Sequence, residues 1–550
     1  MAAIITDHFR RNQARLLVND IKASADAEFD STANSSSNSN ETNWPYRGNN
    51  RYAVGLGKSD SWPDNAGSVS ENATNFVVPA PTGIRQEDED VINNLFTLKD
   101  VAGGSVKQMI AKNVWTSGRK YKVYDSADPD AFYATGDLYP CYATHGNSVY
   151  LCLSNTAVND GFTSVVGSTT APSVSSDYGF QISSNGYVWC EVAKLDANDS
   201  LITNQFVPIP VSPTVTAAQR KRTAGLLSHV GVVSGGSGYS SNTTITATIV
   251  DHDGDVRTLN STNPITFTPI IAGGVIQRVD IRDPQNSPAD TGSYEFWNGA
   301  VDSDADQMVA SGLAILDRIK SINFHISDPG SGGSGETGGT GAQLSGTIAP
   351  STGYAKNAID VLPTWFVGIN VDFEGLETDN DALALKFRQV SLLKNFVRTT
   401  QSGDTSLGSL DALKSITLHT PASSFPTLTA GQILYQQTSG AKFYYDHHKV
   451  VSGTTTLFYH QNSDGEINQI DPVANNAYGI GTALNGNQVS AGVAAPGVIT
   501  PEYQGRVVSS TTDGSTDHGE FNGEVIFHEN RKAFTRSSTQ TEEVKLIIQL

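Results

Sequence analysis

The stretch that most constrains this chain runs from Trp365 to Asn395 and reads WFVGINVDFEGLETDNDALALKFRQVSLLKN. Its odd positions Trp365, Val367, Ile369, Val371 and Phe373 are apolar, with Gly368, Asn370 and Asp372 between them. That period of two belongs to a half-buried strand. An acidic, turn-rich connection follows over 374–381, and then a second β-favouring run over 387–393. Residues 542–550, EEVKLIIQL, repeat the habit, with Val544, Leu546, Ile548 and Leu550 on one face and Lys545 and Gln549 on the other. Such a terminus is expected to tie into a sheet. The expected body is therefore β-rich, with a sheet that closes late in the sequence.

Composition narrows the class. The 550 residues predict two to four domains with ample material for a core. With 38% hydrophobic residues, 17% charged residues and 51 glycines, the balance is that of a turn-rich β protein rather than a helical bundle. A formal net charge of −20 argues against binding nucleic-acid phosphates or an anionic membrane surface, both of which need clustered Lys and Arg. Asp7 and its charged neighbours stand where a secretory leader would need an apolar segment, so none is expected, and no apolar run approaches a membrane span. Three cysteines, Cys141, Cys152 and Cys190, are too few for a disulfide scaffold and fit synthesis in a reducing cytosol. The N-x-S/T match at Asn40–Thr42 then carries no glycan.

Taken in order, residues 5–22 predict a helix capped by Thr6 or Asp7, with Phe9, Leu16, Leu17 and Ile21 on its apolar face. A polar arm, 31–43, lacks periodicity. Residues 51–65 give a short apolar strand and then a tight turn at Ser61-Trp62-Pro63-Asp64 around a buried aromatic. A helix is expected over 87–98, carried by Val91, Ile92, Leu95 and Phe96, and a strand over 105–115. Further strands follow at 147–155, where Val149, Leu151 and Leu153 alternate with Tyr150 and Cys152, and at 186–195. These place the N-terminal part of a β-sandwich body at 1–211. Residues 212–360 predict an inserted β-rich region with a polar helix over 216–227, strands within 231–250 and 265–283, a helix over 303–319 and a Gly-rich linker over 330–341. Residues 361–550 complete the body and close the sheet, with additional short strands and loops at about 400–520. The fold class is mainly β: a sandwich body, a few short helices in loops and one inserted β-rich domain.

Each candidate for chemistry has a plainer reading. Asp251-His252-Asp253-Gly254-Asp255 has the acids of a calcium loop, but Val256 and Thr262 occupy the positions that need Gly and Glu, so an acidic hairpin turn is favoured. Asp302, Asp304 and Asp306 fail the same test and suit a helix N-terminus. Asp446, His447, His448 and His460 offer metal donors, yet adjacent residues on a strand point to opposite faces. Cys141, His145 and Cys152 lack a fourth ligand and read as buried thiols beside a histidine. Gly235-Gly236-Ser237-Gly238 lacks the spacing of a nucleophile elbow, and no phosphate-binding glycine loop is present. Among 56 acids, no pair stands out for glycoside hydrolysis. Trp62, Trp115, Trp189 and Trp365 read as core or as interface anchors. Hence no catalytic, cofactor-binding or metal-binding residue is assigned, and no cofactor is expected.

Several segments, in the same order, resemble the smaller, dimeric baseplate wedge subunit of T-even-type contractile phage tails. They are the helix around Thr6-Asp7-His8-Phe9-Arg10; Gly55-Leu56-Gly57-Lys58-Ser59 leading to Trp62; the stretch from Val91 to Trp115; and Gly186-Tyr187-Val188-Trp189. Phe387-Arg388-Gln389-Val390-Ser391, Glu529-Asn530-Arg531 and Gln540-Thr541-Glu542-Glu543 complete the set. They cover about the first 210 residues, 365–398 and the final twenty or so, while 212–360 and 400–520 depart from the family by their added length. The resemblance implies a β-sandwich body and a homodimer without catalysis. It also implies a place in the virion's tail baseplate, assembled in the host cytoplasm. There the dimer would join the inner wedge proteins to peripheral, fibre-bearing components, without nucleic acid or membrane. Two other classes are carried alongside: a tail-associated glycan depolymerase, and a receptor-binding adhesin displayed on the Gly-rich insert.

Overall fold

A computed structural model describes residues 6–25, 50–155, 167–211, 227–258, 266–282, 319–330, 338–373, 386–395, 409–418, 432–436, 442–460, 480–481, 507–511, 523–535 and 542–550, apart from gaps of one to three residues within them, together with 215–216, 223 and 428. Among the described residues strands take 50% and helices 11%, so the fold is mainly β, with several antiparallel sheets and few short helices. It forms two compact units, one from Met1–Leu16, Lys107–Gly368 and Gln549–Leu550, the other from Leu17–Val106 and Ile369–Ile548.

In the first unit, Tyr187–Lys194 lies between Ser148–Asn155 and Phe180–Ile182, with Tyr142–His145 beyond Ser148–Asn155. Both faces of this sheet are buried. Val149, Leu151, Leu153, Val188 and Cys190 enter one core cluster. Tyr150, Cys152, Tyr187 and Trp189 enter another. The alternation along these strands therefore separates two cores, not core from water.

The described strands between 227 and 348 of the same unit form a two-layer sandwich. Leu227–Ser237 pairs with Thr340–Ile348. The facing sheet contains Thr244–Asp251, Thr266–Ala272, Val275–Arg282 and Ile319–Ser327. Leu227 and Val230 from one sheet and Ile245, Ile249, Phe267 and Ile276 from the other share one core. Gly273 and Gly274, with φ of 60° and 78°, close a two-residue hairpin between Ala272 and Val275, a turn that needs positive φ at both central positions.

The second unit holds a five-stranded sheet in the order Ser409–Asp411, Leu95–Asp100, Tyr52–Gly57, Lys386–Lys394, Glu524–Thr535. A separate six-stranded antiparallel sheet is drawn from 414–511, including Lys442–Val451 paired with Thr454–His460. The organising stretch forms Phe366–Phe373, whose odd positions Val367, Ile369, Val371 and Phe373 are all buried. Gly368 leaves room for Met109 in the first unit, since a Cβ there would lie 2.0 Å from the Met109 sulfur unless that side chain moved. Glu542–Gln549 hydrogen-bonds beside Phe366–Phe373, as expected for the last strand.

Four local expectations change. The first helix spans Asp7–Ala25 and Thr6 caps it, its Oγ1 accepting from the Phe9 N–H at 3.2 Å. Its buried residues are Ala14, Val18 and Ile21, while Phe9 and Leu16 are 52% and 60% exposed. These two sets lie roughly 155° apart at 100° per residue. Flanking the buried stripe, Arg11 donates to the Asp360 carbonyl at 2.5 Å and Arg15 pairs with its carboxylate at 3.3 Å. The expected helix over 87–98 is instead Arg85–Asn93, and Leu95–Asp100 is a strand, because pairing with Tyr52–Gly57 buries Leu95 and Leu98. The tight turn lies at 66–68, inside an Asn65–Val69 bridge, while 61–64 is irregular. Leu227 and Ile319 begin strands, and the rest of the helix expected over 303–319 lies outside the described residues, as does most of that expected over 216–227. The polar arm 31–43, the connection 374–381 and most of the linker 330–341 also fall outside them.

Candidate functional site

The strands of the second unit bring together residues far apart in the chain. Gly55 and Gly57 stand opposite Ser391 and Gln389, which in turn stand opposite His528 and Asn530. Directly opposed residues share a face. Over that face runs the helix Arg85–Asn93 and its cap. A Cβ on Gly57 would meet the Asn94 carbonyl oxygen at 2.7 Å, so only glycine lets the chain cross this low. The result is a polar patch under a helix: Gln389, Ser391 and His528 are 5%, 1% and 8% exposed. His528 Nε2 lies 3.3 Å from Glu87 Oε1. Burial pushes the Glu87 carboxyl up. The Thr82 hydroxyl, the N–H groups of Thr82 and Gly83 and the His528 ring outweigh it, and the net shift is downward.

A loop from 58 to 84 wraps the outer strand of this sheet. Lys58 opens it with φ of 61°, a costly left-handed turn for a lysine. Its N–H donates to the Asn94 carbonyl at 3.0 Å and its Nζ lies 4.7 Å above the Trp62 ring. The Trp62 indole donates to the Arg531 carbonyl at 2.8 Å. Glu71 then enters from the loop and meets Arg388, whose Nε sits 2.8 Å from both carboxylate oxygens. The Ala533 N–H donates to Glu71 Oε1 at 2.7 Å. Glu71 and Arg388 are 8% and 4% exposed, so this is a buried pair. Such a pair stabilises little against an apolar isostere, but loss of one partner leaves an uncompensated charge. Glu71 therefore holds the loop against both Lys386–Lys394 and Glu524–Thr535. Arg531 adds a guanidinium 5.7 Å from the Phe387 ring.

Sequence reading named Trp62, Arg388, Gln389, Asn530 and Arg531 from separate segments and did not join them. It missed Glu71, Glu87 and His528. Glu71 sits in a Ser/Asn-rich run with no periodicity, and its partner is 317 residues away.

The other candidates are placed as follows. Val250 opposite Val256 makes 251–255 a hairpin connection. Asp302, Asp304 and Asp306 lie outside the described residues. His447 stacks on Phe458 at 4.4 Å, while His448 Nδ1 meets the Tyr445 hydroxyl at 2.7 Å, so each ring has its own partner. The side chains of Asp446 and His460 are outside the described set. Cys141 and Cys152 belong to different core clusters, and His145 is exposed against Trp115. Burial raises all three thiols. Gly235–Gly238 ends a strand, where Gly236 at φ 61° passes close to the Thr340 carbonyl. Among the described residues no group of three His, Cys, Asp or Glu side chains is arranged to hold a metal. No described helix is long and apolar enough to cross a membrane. No known family model matches this chain, and no curated protein is similar to it in sequence.

Proposed function

We propose that this protein is a structural component of a contractile phage tail baseplate wedge, acting as a homodimer that links the inner wedge to peripheral fibre-bearing proteins. In this reading it is assembled in the host cytoplasm, carried in the virion, and performs no chemistry of its own. The observation that supports it is the convergence of three resembling segments. Gly55–Lys58 with Trp62, Phe387–Ser391 and Glu529–Arg531 lie more than 100 residues apart in sequence and interlock at one side of one sheet. Segments that matter for a shared architecture are expected to meet in space. Rigid positioning of a surface loop by a buried pair also fits a protein that works through its interfaces.

Size-exclusion chromatography with light scattering tests this directly. The purified protein should run at twice the chain mass at micromolar concentration and co-elute with co-expressed wedge proteins. A monomer that binds none of them ends the proposal. The adhesin reading keeps one observation of its own, the separate core of the 227–348 sandwich. Specific adsorption of the full protein to host cells, lost when surface residues of that sandwich are changed, would favour it.

A further inference from the structure

Residues 76–84 of the loop, FVVPAPTGI, take neither helix nor strand. Prolines at 79 and 81 hold φ near −65°, and each pushes the residue before it, Val78 or Ala80, toward extended backbone. The segment is pinned from beneath by side chains. The Asn65 amide bonds both the Val77 N–H, at 2.8 Å, and the Val77 carbonyl, at 3.1 Å. Asn530 donates to the Pro79 carbonyl at 3.1 Å. Glu87 accepts from the N–H groups of Thr82 at 2.6 Å and Gly83 at 3.1 Å. Phe76 anchors one end in the core at 5% exposure. The outward side chains are apolar: Val77 is 71% exposed and Ile84 55%, with Pro79, Ala80 and Pro81 exposed between them.

We infer that this segment is a preorganised ligand for an aromatic-lined groove with a basic rim on a different polypeptide. Pairing as an added strand is disfavoured by the backbone. Pro79 and Pro81 have no N–H, and the Val77 N–H and the carbonyls of Val77 and Pro79 are already bonded. Recognition then goes through side chains, and extended proline-containing segments are read by aromatic grooves. The three pinning side chains, Asn65, Asn530 and Glu87, lower the ordering cost that a free loop would meet on binding. The rim follows from charge. The next helix, RQEDEDVIN, follows the segment directly and carries Glu87, Asp88, Glu89 and Asp90 against one Arg85, which pairs with Glu89 at 3.2 Å, and the chain carries a net −20. A second copy shares that excess and is the poorer occupant. This inference does not depend on the phage reading.

The test places the photo-cross-linker p-benzoylphenylalanine at Ala80 in the full chain and irradiates the cells that naturally produce it. The expected adduct joins a different polypeptide at a peptide with Trp, Tyr or Phe near Lys or Arg. Val77→Asp with Ile84→Asp should cut the adduct by at least about tenfold with an unchanged circular-dichroism melt. If that double variant melts early, Pro79→Gly with Pro81→Gly carries the test, with the same loss expected. An adduct to a second copy or to a peptide without aromatics overturns the inference. So does the absence of any adduct, or a yield that neither variant lowers.

Discussion

The sandwich of the first unit and the five-stranded sheet of the second unit each fix a loop with one carboxylate, in different surroundings. In the sandwich, Asp328 accepts from the Ser240 hydroxyl at 2.7 Å and from the N–H groups of Ser240, Gly330 and Gly339 at 3.0, 3.0 and 2.9 Å. The Ser240 hydroxyl, then the Gly339 N–H, hold its carboxyl down at about 2. The clasp sits at the rim, beside the core residue Tyr239. In the second unit, Glu71 is buried with Arg388, and polar Gln389, Ser391 and His528 line the sheet beneath a helix. The sandwich also buries polar groups, among them Asp280 and Thr347, but the contacts that hold its loop lie near water. A sheet that positions an external loop carries them inside, where they discriminate strongly between intact and broken arrangements.

The largest expected effect breaks the buried pair. Arg388→Ala should lower stability by about 3–5 kcal/mol in urea unfolding, whereas Glu71→Gln combined with Arg388→Met should recover much of that loss. Equal destabilisation by the single and double variants would show that the pair is not the anchor. Next, Gly339→Ala in the sandwich would set a Cβ 2.3 Å from the Tyr239 ring. It should cost about 1–3 kcal/mol by overpacking, read as a lowered melting midpoint. Trp62→Phe keeps a ring under Lys58 but removes the indole donor to Arg531. A loss of about 1 kcal/mol is expected, with faster proteolysis within 58–84 as its readout. The smallest effect concerns pH. A carboxyl at about 2 in the fold and about 4 in the free chain stabilises the sandwich above about pH 4. That contribution is lost as pH falls through about 2, and Asp328→Asn should abolish this part of the acid dependence of melting.

Much of the body was legible from periodicity. Phe366–Phe373, Lys386–Lys394, Tyr187–Lys194 and Glu542–Gln549 all lie where alternation and β-branched composition placed them. Leu95–Asp100 did not, because its apolar residues fit the end of a helix equally well and only pairing with Tyr52–Gly57 decided between the two. The candidate site was less legible. Trp62 and Arg388 stood out as residues, but nothing local marks Glu71 as the partner of Arg388.

What the sequence by itself determined is the β architecture, since a period of two and glycine-rich turns leave few other ways to bury the apolar positions. It also determined that a helix stands near the start of the described chain and that the cysteines are thiols in a core, while the choice of Thr6 over Asp7 as the cap came from the structure. Tertiary structure alone decided which face of that helix is buried, that both faces of Ser148–Asn155 are covered, and that Glu71 meets Arg388. The reason is common to all three. Local propensity acts over a few residues, whereas burial and charge pairing depend on what the rest of the chain places opposite, at separations no local pattern encodes.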